Sequence, residues 1–434
     1  MSNFLRGAKI EFLTVRTPDD SKEMVLTPQL GPIAFYEDIL DASIHAEVMI
    51  LDTLGRLEGV PVRRGSKVFF RIETPSGVID FEKEPMFISN IKSSGSTAKK
   101  EIFVMQLETK GTFHNHFTRC YKKYTGFANT IIKEILTETL QAPEKFEESN
   151  LEQPKYPIEF CGNYKRPLHT CVSLATKSVP SISSKDTATR GGSGFFFWED
   201  LEGYNFRSID KIFEVIQTDK DAIPEYFQSS TVDAFDPKNN YRIVSDPTWK
   251  NNNNLLDKLS QGQYMSYNTY FDLNERIHKV AYKAPESVHE YKPENQNEKN
   301  EGATNLSNEQ PFVPKFFTDK PSRIMLSTVD KSLFDNEGGL QTPTHHIEYE
   351  ARRQSRYAAL FSQTLEVTVP LNVGLKAGSV VKMKFPRINI DKPNSGSNNP
   401  ASGYYMIKSL SHKLLADGDF TALTLIRDAY SELK

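Results

Sequence analysis

The chain has 434 residues, of which 38% are hydrophobic and 11% aromatic, so it can build more than one packed core. Its formal net charge of −3 lacks the excess of Lys and Arg that direct nucleic-acid binding requires. This composition argues against a protein that reads or grips nucleic acid. It remains compatible with a channel through which DNA slides, because a near-neutral or acidic wall would not hold a polyanion.

The sequence contains no segment typical of membrane insertion or secretion. No stretch approaches the roughly 18 apolar residues that a spanning helix needs. The first residues lack the uninterrupted apolar run of a signal peptide. Three cysteines, Cys120, Cys161 and Cys171, are too few and too irregularly spaced for a disulfide framework or a CxxC metal site. We therefore expect reduced, mostly buried cysteines in a protein that is made in a cytoplasm and kept there, or assembled there into something larger.

The first hundred residues predict short antiparallel strands. Ile44, Ala46, Val48 and Ile50 alternate with other side chains at period two, as in a half-buried strand. Further strands are predicted at 68–72, 78–81, 86–91 and 102–107, with turns at 75–77 and 93–96. Strands at this spacing are typical of an antiparallel barrel or sandwich.

The middle of the chain predicts helices and one aromatic hairpin. Apolar residues from Phe127 to Leu140 fall on one helix face, with Thr125 as the expected N-cap, and a second helix is expected at 167–177. A strand at 195–198, a turn at 199–203 and a strand at 204–209 form the predicted hairpin. Its carboxylates Glu199, Asp200 and Glu202 are expected to be solvated, so none is nominated as a general acid.

The last part of the chain returns to strands. Residues 285–310 are nearly devoid of apolar side chains and predict a solvated excursion. A helix is expected at 346–361. Strands are then predicted at 364–369, 380–385, 404–410 and 420–427, with a hairpin signal at 416–419. The sequence thus predicts strand-rich ends around a helix-containing middle.

Three segments carry residues of the kind that bind metals or phosphates. His345 and His346 precede Glu348 and Glu350, but adjacent histidines on a helix diverge, and an HExxH motif is absent from the sequence. His114 and His116 would share one strand face and lack an evident third ligand. The glycine-rich residues 190–194 lack the Lys-Ser/Thr of a phosphate loop. We therefore predict no catalytic, cofactor-binding or metal site, no cofactor and no enzymatic activity.

Several segments resemble the baseplate hub proteins of contractile-tailed, T4-like bacteriophages, a family related to the N-terminal hub part of type VI secretion spike proteins. The hairpin at 194–210 resembles their aromatic and acidic hairpin, and residues 124–136 resemble the helix that opens their middle domain. Residues 356–377, 402–412 and 421–427 resemble the second of their barrels. These parts follow one another in the family's order along most of the chain.

The resemblance implies a mainly β fold with an α+β middle domain and two tail-tube-like antiparallel β-barrels. The implied domains are a first barrel at 1–113, a helix-containing middle domain at 114–210, a second barrel from 211–285 with 345–434, and a polar insertion or arm at 286–344. The implied function is that of a structural virion protein: a trimeric hub that forms a pseudo-six-fold ring between the hexameric tail tube and the trimeric central spike, and lets DNA pass.

The resemblance also implies partners and a location. The partners are two further copies of the chain, the central spike protein, the tail tube protein or tube initiator, and baseplate wedge proteins. Neither specific nucleic-acid binding nor a membrane is expected. The location is the tail baseplate of a virion assembled in the host cytoplasm.

Three different functions compete with the phage hub. The nearest is the hub of a type VI-like or other contractile injection system, although such a hub usually continues into a β-helical needle. A tail tube protein is the second, but it would need only one barrel and a shorter chain. An enzyme is the third, and it would require a catalytic cluster that the sequence does not display.

Overall fold

We describe the protein from a computed structural model. The described residues are 7–53, 62–97, 100–142, 147–181, 194–228, 243, 247–251, 255–261, 266–272, 278–283, 323–329, 353–354, 356–358, 360–361, 363–385, 401–416 and 418–427.

The protein is mainly β, as predicted. The strands before the middle of the chain are β1 Lys9–Arg16, β2 Glu23–Val25, β3 Leu30–Asp38, β4 His45–Asp52, β5 Lys67–Thr74, β6 Gly77–Asp80, β7 Met86–Thr97 and β8 Lys100–Glu108. Those that follow are β9 Lys123–Gly126, β10 Ile158–Cys161, β11 Phe195–Asp200, β12 Gly203–Ser208, β13 Glu225–Phe227, β14 Thr248–Asn251, β15 Ser266–Asp272, β16 His278–Lys283, β17 Arg323–Val329, β18 Gln363–Pro370, β19 Val380–Lys384, β20 Gly403–Leu415 and β21 Gly418–Arg427.

The helices are short and lie mostly in the middle of the chain. They are α1 Lys110–Phe117, α2 Ala128–Glu134, α3 Pro167–Lys177, α4 Ile209–Phe213, α5 Val215–Thr218 and α6 Leu255–Ser260. A π-helical turn, Ile135–Thr139, continues α2. Residues 353–360 are helical where they are described, residue 361 is a turn, and the rest of the helix predicted from 346 lies outside the described residues. In the described part of the chain, none of the helices has both the length and the apolar character needed to cross a bilayer.

One large sheet organises the molecule. Its strands follow the order β14-β18-β21-β20-β3-β4-β8-β7-β5-β1-β2, and β6, β19 and β13 are attached beside this path. Two small hairpin-like sheets, β9 with β10 and β11 with β12, belong to the middle of the chain. A third small sheet has the order β16-β15-β17, and β17 falls within the predicted insertion at 286–344. The residue bounds of the predicted domains stay a prediction.

Two local predictions are wrong. Thr125 does not cap the helix that follows it: it lies in β9, and α2 begins after Phe127, which makes no side-chain cap hydrogen bond. The predicted turn at 93–96 lies inside β7, because the strand absorbs these small polar residues as an irregularity in register between Ser93 and Gly95. Bulges of this kind let a strand continue while its direction changes.

The apolar residues form four buried clusters. One lies under the early strands and contains Phe35, Phe70 and Leu107. A second holds α2 and α3 against the β11–β12 hairpin, and its members include the buried Cys120 and Cys171. A third surrounds Trp198, and a fourth lies under β18 to β21. Since each fully buried Leu, Ile or Phe contributes about 1.5–3 kcal/mol, these clusters supply the main driving force for folding.

Candidate functional site: a duplicated sheet joined head to tail

Strand β20 joins the two halves of the large sheet. Its first residues pair with β19, with Val380 opposite Met406. Its later residues pair antiparallel with β3, from Ser409 opposite Asp38 to Leu414 opposite Ile33. Segments far apart in the sequence therefore share one continuous set of backbone hydrogen bonds. The ends of the chain form a single sheet rather than two that only touch.

The two halves of this sheet repeat one pattern of pairing. In the first half β3 pairs with β4, β4 with β8 and β8 with β7, and the start of β7 pairs with β5. In the second half β14 pairs with β18, β18 with β21 and β21 with β20, and the start of β20 pairs with β19. All of these pairings are antiparallel. We call β3, β4, β5, β7 and β8 the first unit, and β14, β18, β19, β20 and β21 the second unit.

A β-bulge in the same place strengthens this correspondence. In the first unit the register between β7 and β8 shifts between Ile88 and Asn90. In the second unit the register between β20 and β21 shifts between Ile407 and Ser409. Both isoleucines are buried, and each is opposite a leucine of the next strand. Ile88 and Ile407 are therefore equivalent positions, which fixes the alignment of the remaining residues of the two strands.

Side-chain contacts repeat along with the backbone. In the first unit the Tyr36 hydroxyl on β3 donates to Glu47 Oε2 on β4 at 3.5 Å. In the second unit Lys250 on β14 forms an ion pair with Glu366 on β18. Glu47 is opposite Gln106, which directly precedes Leu107, the partner of Ile88. Glu366 is opposite Thr424, which directly precedes Leu425, the partner of Ile407. The two glutamates therefore occupy equivalent positions.

The face of the sheet opposite the apolar clusters is polar. Asn90 Nδ2 donates to Gln106 Oε1 and Gln106 Nε2 donates to Glu47 Oε1, each at 3.1 Å, so one hydrogen-bonded chain crosses β7, β8 and β4. A concavity of about 540 Å³ opens on this face, lined by residues of both units. Its polar lining includes Tyr36, His45, Thr248, Glu366, Ser409 and Thr424.

Two lysines on this face are paired with carboxylates. Lys408 Nζ lies 2.7 Å from Asp38 Oδ2, and Lys250 pairs with Glu366. This pairing compensates the positive charge that Lys408 and Lys250 would otherwise present on this face.

A buried glutamate lies where the two units meet. Glu37 belongs to β3, and its side chain is 2% exposed. One carboxylate oxygen accepts the Leu201 N–H at 3.0 Å, and the other accepts the Ala377 N–H at 2.9 Å. Burial, together with the nearby Asp200 carboxylate, raises the pKa of Glu37 to about 8. The first unit, the β11–β12 hairpin and the turn before β19 therefore meet at one acidic side chain.

Glu199 and Asp200 are buried, so the prediction that the hairpin carboxylates are solvated is wrong for two of the three. Strands β11 and β12 extend to Asp200 and from Gly203, which leaves a two-residue turn and carries Glu199 and Asp200 into the interior. Asp200 accepts the backbone N–H groups of Glu202 and Gly203 and the side-chain amide of Asn205. Burial raises the pKa of Asp200, and these hydrogen bonds act in the opposite direction. Glu202 is exposed and pairs with Lys376.

Glu199 fixes the hairpin to the first unit. Its Oε2 accepts the Ile44 N–H at 3.3 Å and the Thr109 hydroxyl at 3.1 Å. Buried carboxylates that accept backbone amides hold segments in place, because each broken contact would leave a donor unsatisfied. The acidic residues of this region therefore connect parts of the fold. Sequence patterns did not predict this role, since the groups that these carboxylates bind come from distant segments.

Trp198 connects the hairpin to the second unit. Its indole Nε1 donates to the Ala377 carbonyl at 3.1 Å. Gly378 follows with a φ of +79°, and a Cβ at that position would lie 2.4 Å from the Trp198 ring. Only glycine adopts this backbone conformation and allows this approach at low cost.

The segments with metal-like or phosphate-loop residues do not form such sites where they are described. His114 and His116 lie on α1, so they do not share a strand face as predicted. The described residues contain no group of three or more His, Cys, Asp or Glu that could hold a metal ion. The cluster at 345–350 lies outside the described residues, as does the glycine-rich loop up to residue 193.

Comparison with known proteins identifies solved structures with a similar fold. No family model matches the chain, and no curated protein matches it. Among solved structures, a tail protein from Neisseria meningitidis MC58 is 13% identical, with a TM-score of 0.52 over 97% of this chain and 97% of that chain. The 43 kDa tail protein of prophage MuSo2 from Shewanella oneidensis is 9% identical, with a TM-score of 0.52 over 97% of this chain and 99% of that chain. At these identities the likeness shows a shared fold: this chain has a fold found in phage tail proteins.

Proposed function

We propose that the protein is the baseplate hub of a contractile phage tail and acts as a homotrimeric structural protein. The observation that carries this proposal is the head-to-tail joining of two equivalent units in one sheet. The contact joins β20, at one edge of the second unit, to β3, at the opposite edge of the first unit. Such a contact is heterologous because it joins two different surfaces, and repeated heterologous contacts generate a ring when the rotation between units closes. Three chains then supply six units.

A ring of this kind would adapt one symmetry to another. Its six similar units match a hexameric tail tube, while its three chains match a trimeric central spike. The polar face would line the opening, where its paired charges let DNA slide rather than bind. Tail proteins with the same fold support this assignment to the tail.

The proposal defines partners and location. The hub contacts two further copies of itself, the spike protein, the tail tube protein or tube initiator, and baseplate wedge proteins. It carries no cofactor and catalyses no reaction, and the acidic side chains at the unit junction act by holding segments together. It belongs to the virion tail baseplate and is assembled in the host cytoplasm. The hub of a type VI-like injection system would use the same ring, and is distinguished by copurification with its own tube and spike.

Light scattering and negative-stain electron microscopy of the purified chain test the proposal. The expected particle has three times the chain mass of 49.4 kDa, three-fold symmetry and a central opening with a six-lobed outline. If the chain alone is monomeric, the same measurement in the presence of the spike protein should give the ring. A monomer in both samples contradicts the hub. Clearing of peptidoglycan by the pure protein contradicts the non-enzymatic role.

A further inference from the structure

Among the described strands, one strand edge in each unit pairs with no other strand. In the second unit, β3 covers the edge of β20 that follows its bulge. The equivalent part of β7 pairs with β8 on one side, and no other described strand pairs with it beyond Phe87. The equivalent of β3 is β14, which stands at the end of the sheet order and pairs only with β18 among the described strands. The two edges without a described partner therefore belong to β7 and β14, which are the counterparts of β20 and β3, and β20 and β3 pair with each other within the chain.

We propose that the edge of β7 after Ile88 pairs antiparallel with β14 of a second copy of this chain. The contact would repeat the β20–β3 junction between subunits. This inference deepens the proposed hub function and rests on it, because it names the strands through which the ring would close.

The alignment of the units gives the register of this contact. Lys92 lies four residues after Ile88, just as Ser411 lies four residues after Ile407. Lys250 is opposite Thr364, two residues before Glu366, and Tyr36 is opposite His45, two residues before Glu47. Because the two glutamates are equivalent, Lys250 corresponds to Tyr36. Ser411 is opposite Tyr36 in the intrachain junction. Lys92 would therefore be opposite Lys250 of the partner subunit, and Glu366 already neutralises the charge of Lys250.

An exposed tryptophan marks the uncovered edge. Trp249 is opposite Leu365, directly before Glu366, and Phe35 is opposite Ala46, directly before Glu47. Trp249 therefore corresponds to Phe35. Phe35 lies beneath the β20–β3 junction and is 2% exposed, whereas Trp249 is 47% exposed. An open edge strand is a ready site for pairing with another chain. A second subunit on β14 would bury Trp249 as β20 helps to bury Phe35.

Cysteine cross-linking tests the pairing directly. In a Cys161→Ser background, which removes the exposed native thiol, the test protein carries Lys92→Cys and Lys250→Cys. Residues opposite each other in antiparallel strands have Cα atoms about 4.5–5.5 Å apart, within disulfide reach. Mild oxidation should give covalent dimers and closed trimers on a non-reducing gel. The matched control replaces Lys83, an exposed lysine away from this edge, with cysteine instead of Lys92.

The outcomes separate this inference from the hub proposal. We expect about tenfold more cross-linked protein than in the control pair, because pairing raises the local thiol concentration. A trimer by light scattering that cross-links no more than the control overturns the β7–β14 contact and leaves the hub proposal standing. A monomer without cross-links at its highest soluble concentration, with and without the spike protein, overturns both.

Tryptophan fluorescence gives a second readout that needs no substitution. The chain has two tryptophans, and Trp198 is already buried at 2% exposure, so a change in quenching reports mainly on Trp249. Acrylamide quenching should fall when the trimer forms, because Trp249 moves from a half-exposed to a buried site. Unchanged quenching in a protein that has become trimeric contradicts the contact.

Discussion

The carboxylate of Glu37 accepts a hydrogen bond from the backbone N–H of Ala377 at 2.9 Å, across 340 positions of sequence. Its other oxygen accepts the N–H of Leu201 at 3.0 Å. The same strand pairs with β20, so backbone and side chain hold this junction together. Loss of the carboxylate should therefore affect the whole fold rather than one loop.

Removing the acceptors of Glu37 should destabilise the protein in steps. Glu37→Leu leaves two buried amides unsatisfied, at about 1–3 kcal/mol each. Glu37→Gln keeps one acceptor and should fall between the native protein and the leucine variant. Urea unfolding measures the order, and Glu82→Gln, on an exposed side chain, should stay within about 0.5 kcal/mol of native. A leucine variant as stable as the native protein would contradict the junction role.

Stability should fall as pH rises from about 5 to about 8. Burial raises the pKa of Glu37 to about 8 and that of Glu152 to about 7, whereas in the unfolded chain both ionise near pH 4.3. The folded state thus holds more protons in this window, and the free energy of unfolding decreases by at most about 1.4 kcal/mol per pH unit for each group. Urea unfolding at several pH values measures the slope. The slope should be smaller in Glu37→Gln, and an equal slope would argue against Glu37 as its source.

His412 should limit stability on the acid side. Its ring is fully buried, Nδ1 lies 3.0 Å from the Thr421 hydroxyl, and burial lowers the pKa to about 4. The unfolded chain takes up this proton near pH 6.5, so His412 removes stability as pH falls from about 6.5 to about 4. His412→Gln should show a flatter profile over this range in urea unfolding. A profile in His412→Gln as steep as that of the native protein would contradict this role.

Gly378 should tolerate no side chain. Alanine would combine a φ of +79° with a Cβ placed 2.4 Å from the buried Trp198 ring, so we expect a loss of at least about 2 kcal/mol. Gly374→Ala is the matched control: its Cβ would meet only the end of the Asn372 side chain at 3.1 Å, and its φ lies outside the left-handed region. Thermal unfolding of both variants measures the difference. Equal melting temperatures would contradict the close approach of Trp198.

The strands of the sheet follow from sequence because their cause is local. Ala46, Val48 and Ile50 alternate with partly exposed side chains, and all three are buried in β4 as the period-two pattern predicts. The same holds for Leu365, Val367 and Val369 in β18. Alternation reports which face is buried, and that is enough to place a strand and orient it.

The junction could not be predicted in the same way, because its causes are distant in sequence. Glu199 and Asp200 look solvated beside a glycine turn, yet their hydrogen-bond donors include Ile44, Thr109 and Asn205. Glu37 did leave a signal: it follows Ile33 and Phe35 at inward positions of β3. A carboxylate in an inward register predicts a buried acceptor, but only the fold identifies which amides it binds.

The two units differ most in one connection. In the first unit, β3 passes to β4 through six residues, 39–44, whereas in the second unit residues 252–362 separate β14 from β18. A ring of three chains would therefore carry this long connection at every second unit. Partners that bind there would join with a stoichiometry of three per ring, while the sheet beneath them repeats six times.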